Sequence, residues 1–183
     1  MLTDADAAAL GACVAAGGVA VFPADTVYGL ACDPENADAV ATLYGLKGRP
    51  PSKPAAVMFF DLSLGDFGGL LPGGVTLLLP NPEHRFPLAC ATDPGTLGVR
   101  VPFLAPVGRP LLQSSANLAG GADARRLDDV PPSIRAGADL VLDGGELPGV
   151  PSTVVDLRSA GEWRIVREGA VSAEEVAARL TPR

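Results

Sequence analysis

Four short apolar runs of β-forming residues cross the middle of the chain in close succession: AAVMFF (55–60), VTLLLP (75–80), LGVRVP (97–102) and PLLQSSA (110–116). They lie too close together for a helix to cross over between every pair, which excludes a uniform series of βαβ units. VAVF (19–22) precedes them, and LVLDGG (140–145), STVVDL (152–157) and EWRIVREG (162–169) follow. Strands therefore outnumber helices. Thr3 with Asp6 three residues on reads as a capping box for a first helix, and Gly17-Gly18 supplies its stop. Asn36 to Leu46 puts Val40, Leu43 and Tyr44 on one helical face. Ser172 with Glu175 caps a last helix, Ala173 to Leu180. The expectation is an α/β fold, a mixed sheet flanked by helices. With 183 residues, no internal repeat and no dividing linker, residues 1–183 read as a single domain.

Charge and chemistry-bearing residues narrow the function. The formal net charge is −7, and phosphate backbones are held mainly by clustered positive charge, so a broad nucleic-acid-binding surface is not expected. Cys13, Cys32 and Cys90 form no C-x-x-C pair, and His84 is the single histidine. A disulfide scaffold, a zinc site and a His-dependent triad all lack their parts. No basic leader precedes an apolar run, and no apolar stretch reaches membrane-spanning length; a cytoplasmic protein without membrane association is expected.

Against this acidic background the segment LKGRPPSKP (46–54) stands out. It holds three cations, no acid, and both lysines of the chain, Lys47 and Lys53. A solvated turn is one reading. The other is an anion site: prolines lower the entropy cost of fixing the cations, Arg49 forks onto phosphate oxygens, and lysine acts as a point charge. No G-x-x-x-x-G-K-[ST] loop occurs. FPADTVYGLACD (22–33) carries Thr26 and Tyr28 beside Asp25. In QSSANLAGG (113–121), Ser115 and Asn117 project to one side of an extended segment; they either satisfy loop backbone or bind a polar ligand. Arg100 inside an apolar strand needs a partner, either a structural acid or a bound anion. PSTVVDL (151–157) opens on Ser152 and Thr153, and Arg167 closes the strand after it.

In this order the pieces resemble the YrdC/Sua5 family of threonylcarbamoyl-AMP synthases. PADTVYGL (23–30) is similar to P-T-D-T-V-Y-G-L, KGRPPSKP (47–54) to K-x-R-P followed by K-P, and VRVP (99–102) to V-R-x-P. SANLAG (115–120) is similar to S-A-N-x-S-G, STVVD (152–156) to S-T-V-x-D, and REG (167–169) to R-x-G. The likeness covers about residues 18–178. It implies a YrdC-like fold, a twisted mixed sheet with a concave substrate cavity. It also implies condensation of L-threonine, bicarbonate and ATP to threonylcarbamoyl-AMP and pyrophosphate, serving tRNA t6A37 modification through downstream threonylcarbamoyl-transfer proteins. By resemblance Lys47, Arg49, Ser115 and Asn117 form the catalytic polar set. Arg49, Lys53, Thr96, Asn117, Arg125 and Arg167 hold ATP. Thr26, Arg100, Ser115 and a hydroxyl of Ser152 or Thr153 hold threonine. ATP enters as a substrate with Mg2+, and neither a tightly bound cofactor nor a dedicated metal site is expected. Ala24 and Ala119 replace family hydroxyls, and Arg125 stands where a small hydroxyl is usual. The extra C-terminal domain of longer members is expected to be absent. Two other functions fit the same motifs: a paralogue acting on another carbamoyl compound, or a non-catalytic RNA-binding or ribosome-associated module.

Overall fold

The structure is a computed structural model that describes residues 2–65, 67–159 and 161–180. The first helix, α1 (Asp4–Ala15), begins at the expected capping box: Thr3 Oγ1 accepts from the Asp6 N–H, and the Asp6 carboxylate accepts from the Thr3 N–H. Gly17, at φ 84°, makes the left-handed exit that a side chain would disfavour. Strand β1 (Ala20–Pro23) turns back into β2 (Tyr28–Cys32), and α2 (Ala37–Lys47) follows with Asn36 as its N-cap. After β3 (Ala56–Met58) and β4 (Val75–Pro80) come a one-turn helix α3 (Pro87–Cys90), β5 (Thr96–Arg100) and β6 (Leu111–Ser115). A short α4 (Pro132–Gly137), β7 (Leu140–Val141), β8 (Thr153–Asp156), β9 (Arg164–Arg167) and α5 (Ala173–Leu180) complete the chain.

The strands form one nine-stranded sheet in the order β7-β1-β2-β6-β3-β5-β4-β8-β9. Pairings β1–β7, β3–β5 and β4–β8 are parallel and the others antiparallel. The mixed α/β sheet expected from strand spacing is therefore observed. Three elements lay outside that expectation. Strand β2 is buried at all five positions, so its sequence YGLAC carries no inside–outside alternation to announce it. Helices α3 and α4, of four and six residues, are too short to show a helical period. The run LVLDGG yields only the two-residue β7.

Register sorts the residues of the central strands onto two faces. Leu112, Val57, Val99, Leu77 and Val155 are cross-strand neighbours, all fully buried. They pack in one core with Val40, Leu43 and Tyr44 of α2, Ile134 of α4 and Val176 of α5. The opposite face begins under α1, whose Leu10 and Val14 cluster with Phe22, Ala31, Met58 and Leu111. Beyond that patch the same face turns polar.

Candidate active site

That polar face floors a cavity of about 420 Å³, within the usual size range for small-molecule sites. Gln113, Ala56, Gly98 and Leu78 are register neighbours along the floor. The small residues at 56 and 98 leave space above the floor. Four arginines reach the wall, Arg49, Arg100, Arg158 and Arg167, against the carboxylates of Asp93 and Asp123. An acidic chain has gathered positive charge at one place.

Arg100 ends β5 and is 3% exposed. Its contacts to Gln113 Oε1 and Thr26 Oγ1 are both long, at 3.5 Å, and its Nε has no partner. No carboxylate forms an ion pair with it among the described residues. Burial pulls this guanidinium down to about 10, against the raising effect of Asp25 and with that of Arg167 in the same downward direction. Burial raises the Asp25 carboxyl, opposed by Arg100. Asp25 sits at φ 76°, strained for a non-glycine residue. The turn it makes is closed by the Ala24 N–H to the Val27 carbonyl, and it presents Thr26, 4% exposed, to Arg100. Gly29 is required beside that turn, because a Cβ there would come within 2.9 Å of Ala24 Cβ and Gln113 Nε2.

The cationic loop divides. Arg49 lines the cavity; it donates to the Pro54 carbonyl at 2.6 Å, lies 5.9 Å from the Tyr44 ring centroid, and leaves Nε without a partner. Lys47 turns inward instead and is 2% exposed. Its Nζ donates to the Ser115 carbonyl, to the Asn117 carbonyl at 2.8 Å and to Asn117 Oδ1 at 3.0 Å. Burial, then the nearby Arg49, pulls the ammonium down to about 8. With all three donors occupied, Lys47 acts as a brace beneath the Ser115–Asn117 turn. Asn117 is part of that brace: its Nδ2 donates to the Gly121 carbonyl and its Oδ1 also accepts from Ser115 Oγ. Ser115 itself lines the cavity. Lys53 is exposed and absent from the wall. Arg125 pairs with Glu146 at 2.9 Å, outside the wall.

The two hydroxyls at the start of β8 separate in the same way. Ser152 lines the cavity, 2.8 Å from Thr76 Oγ1 and within reach of Arg167, which donates to the Ser152 carbonyl at 2.6 Å. Thr153 points to the other face, fully buried. Its hydroxyl donates to the Val171 carbonyl and accepts from the Gly169 and Val171 N–H groups. Of the two hydroxyls expected here, Ser152 faces the cavity, while that of Thr153 is engaged by three backbone groups. Gly169 of the REG stretch permits the approach, since a Cβ there would overlap the Pro151 carbonyl oxygen.

Of the expected site residues, the fold brings Thr26, Arg49, Thr96, Arg100, Ser115, Ser152 and Arg167 to one cavity. Arg158 was not foreseen. It follows β8, and its Nε and Nη2 fork onto Asp156 at 2.8 and 2.7 Å, while Nη1 donates to Thr96 Oγ1 at 3.2 Å and lies 3.4 Å from Asp93. Its sequence signal was faint: an arginine two residues after the aspartate of STVVD looks like a surface charge. Among the described residues no group of three or more His, Cys, Asp or Glu is placed to hold a metal ion, and no helix is long and apolar enough to cross a membrane.

Known proteins resemble this chain in sequence and fold. The Sua5_yciO_yrdC family model, described as "Telomere recombination", matches residues 12–65 and 67–169. A "Threonylcarbamoyl-AMP synthase" of Xanthomonas campestris is 35% identical over 180 residues, covering 85% of this chain and 94% of that protein. One from Homo sapiens is 34% identical over 184 residues, covering 84% of this chain and 63% of that protein. The chain spans under two thirds of the length of the mammalian and Bacillus subtilis relatives it matches. In fold it is similar to P. abyssi Sua5 complexed with L-threonine, with a TM-score of 0.86 at 24% identity over 98% of this chain and 58% of that one. With the family model spanning most of its length, the chain belongs to the Sua5/YciO/YrdC family.

Proposed function

We propose that this chain is a cytoplasmic threonylcarbamoyl-AMP synthase, using L-threonine, bicarbonate and ATP. The observation that carries the reading is Arg100: a guanidinium 3% exposed, with no acidic partner among the described residues, on the wall of an arginine-rich cavity. A buried cation with no carboxylate in contact is costly, and a bound carboxylate supplies a direct counter-charge. The relatives' shared name, Threonylcarbamoyl-AMP synthase, supports the same substrate set.

In this reading Arg100 and Thr26 hold the threonine carboxylate, with Ser152 as a further hydroxyl in the same cavity. The threonine amine and bicarbonate condense to N-carboxythreonine with loss of water. A carbamate oxygen then attacks the α-phosphorus of ATP. The bond from that phosphorus to the α–β bridging oxygen breaks, and pyrophosphate leaves with the electron pair. Arg49 and Arg167 hold phosphate oxygens as charge accumulates on the leaving group, and Ser115 and Thr96 offer hydroxyls to the reacting anions. No covalent nucleophile is needed, because positioning and charge neutralisation carry such transfers. Lys47 and Asn117 act from behind the wall by fixing Ser115. Mg2+ would travel on the ATP phosphates: the wall carboxylates are Asp93, which lies against Arg158, and Asp123, too few for a protein cage, and no step is assigned to the ion. The product then passes to threonylcarbamoyl-transfer proteins acting on tRNA.

Pyrophosphate release tests the reading. Release is expected with all three substrates together and not when threonine or bicarbonate is left out. Turnover indifferent to threonine would instead indicate a paralogue working on another carbamoyl compound.

A further inference from the structure

Arg158 differs from the other three arginines of the cavity wall. Arg49, Arg100 and Arg167 form no ion pair among the described residues, whereas Arg158 is held by a two-toothed fork on Asp156. Asp156 is buried, with its side chain 8% exposed, and also takes Arg164 at 3.0 Å. The aspartate in turn is fixed by β8, whose register sets it beside Leu78 of the cavity floor. An arginine so anchored has little freedom left and little uncompensated charge to offer an anion.

Its remaining nitrogen is the informative one. Nη1 donates to Thr96 Oγ1 at 3.2 Å. A threonine hydroxyl has one proton and two lone pairs. A guanidinium has no lone pair to accept with, so the bond fills an acceptor site on Oγ1 and leaves the hydroxyl proton unspent. Thr96 itself lines the cavity. We infer that Arg158 is a positioning residue: locked by Asp156, it holds the Thr96 hydroxyl as a hydrogen-bond donor aimed at a phosphate oxygen of the bound nucleotide. This rests on the proposed nucleotide reading and adds to it a role for a residue outside the motifs. Phosphate oxygens accept and never donate, so a hydroxyl held as a donor discriminates in favour of them.

The test is a double-mutant cycle read by calorimetric titration with ATP, with adenosine, and with L-threonine. Thr96→Val and Arg158→Met are each expected to weaken ATP binding by about tenfold, the scale of one hydrogen bond to a charged group. The double variant is expected to be no weaker than either single one, because both remove the same bond. Adenosine and threonine binding should stay within about twofold, and Thr96→Ser, which keeps the hydroxyl, should bind ATP as wild type does. Thr96→Val leaves the Arg158–Asp156 fork intact, so even where Arg158→Met disturbs folding, unchanged ATP affinity in Thr96→Val overturns the inference. Additive losses in the double variant would overturn the inference by showing that Arg158 touches ATP directly, and so would equal losses for adenosine. Wild-type protein that binds no ATP would remove the nucleotide reading as well. ATP binding by wild type that neither variant changes would remove the Thr96–phosphate contact and with it the role of Arg158, leaving the nucleotide reading in place.

Discussion

Two rows of residues run across the same five strands one position apart. Leu112, Val57, Val99, Leu77 and Val155 form the first; Gln113, Ala56, Gly98, Leu78 and Asp156 form the second. The first is fully buried beneath helices α2, α4 and α5. The second floors the cavity and ends at the carboxylate that anchors Arg158. Alternation of side chains along a strand makes this division possible. It teaches that stability and chemistry are held on opposite faces of one sheet. The packed row uses residues of similar size that fill space, while the cavity row gives up apolar burial for two small residues and a polar rim.

The comparison can be broken most decisively at Arg100. Arg100→Met is expected to lower pyrophosphate release by about a hundredfold or more. It should leave thermal stability unchanged or raised, because it replaces a buried cation lacking an acid partner with an apolar side chain. A large drop in melting temperature would mean that Arg100 belongs to the structural face after all. On the packed row, Leu112→Ala should cost about 2–5 kcal/mol in urea unfolding, while the protein that remains folded keeps its KM for each substrate. Thr153→Val and Ser152→Ala sharpen the contrast between adjacent residues. The first should cost about 1–3 kcal/mol of stability by stranding backbone donors, with little change in the KM for threonine. The second should raise that KM and barely move the melting temperature.

The smallest expected effect is a pH dependence at Lys47. Its ammonium is lowered from 10.5 to about 8 in the folded chain. Between those two values the unfolded chain binds the proton more tightly, so the Lys47 contribution to unfolding free energy rises with pH across that window. The difference between wild type and Lys47→Met, followed by urea unfolding from pH 7 to 10, should therefore shift in favour of wild type. Turnover should fall over the same range, as the brace under Ser115 and Asn117 loses a donor. A difference flat in pH would show that burial does not penalise this charge.

Much of the fold was legible because its signals were local. The Thr3–Asp6 capping box and the Asn36 cap lie within one helical turn of the elements they start. The run TLGVR already alternates between what lines the cavity and what is packed. The site was legible as a set of segments, since Thr26, Arg49, Arg100, Ser115 and Ser152 all converge. The roles within each segment were not. Lys47 and Lys53 share one short loop, yet the first braces a buried turn and the second is exposed. Ser152 and Thr153 are neighbours with opposite fates. Arg158 carried no motif at all.

By itself the sequence determined most of the strands, the three longer helices, and the segments whose hydroxyls and cations enter one neighbourhood. Capping, hydrophobic period and proline act over a few residues and need no distant partner. Tertiary structure alone decided which side of the sheet each polar group faces, and whether its donors are left for a ligand or taken by backbone. Those outcomes depend on strand register and on carbonyls contributed from far along the chain, as when Lys47 meets Ser115 and Asn117. A one-residue step in register would exchange the two rows and carry every polar group to the other face.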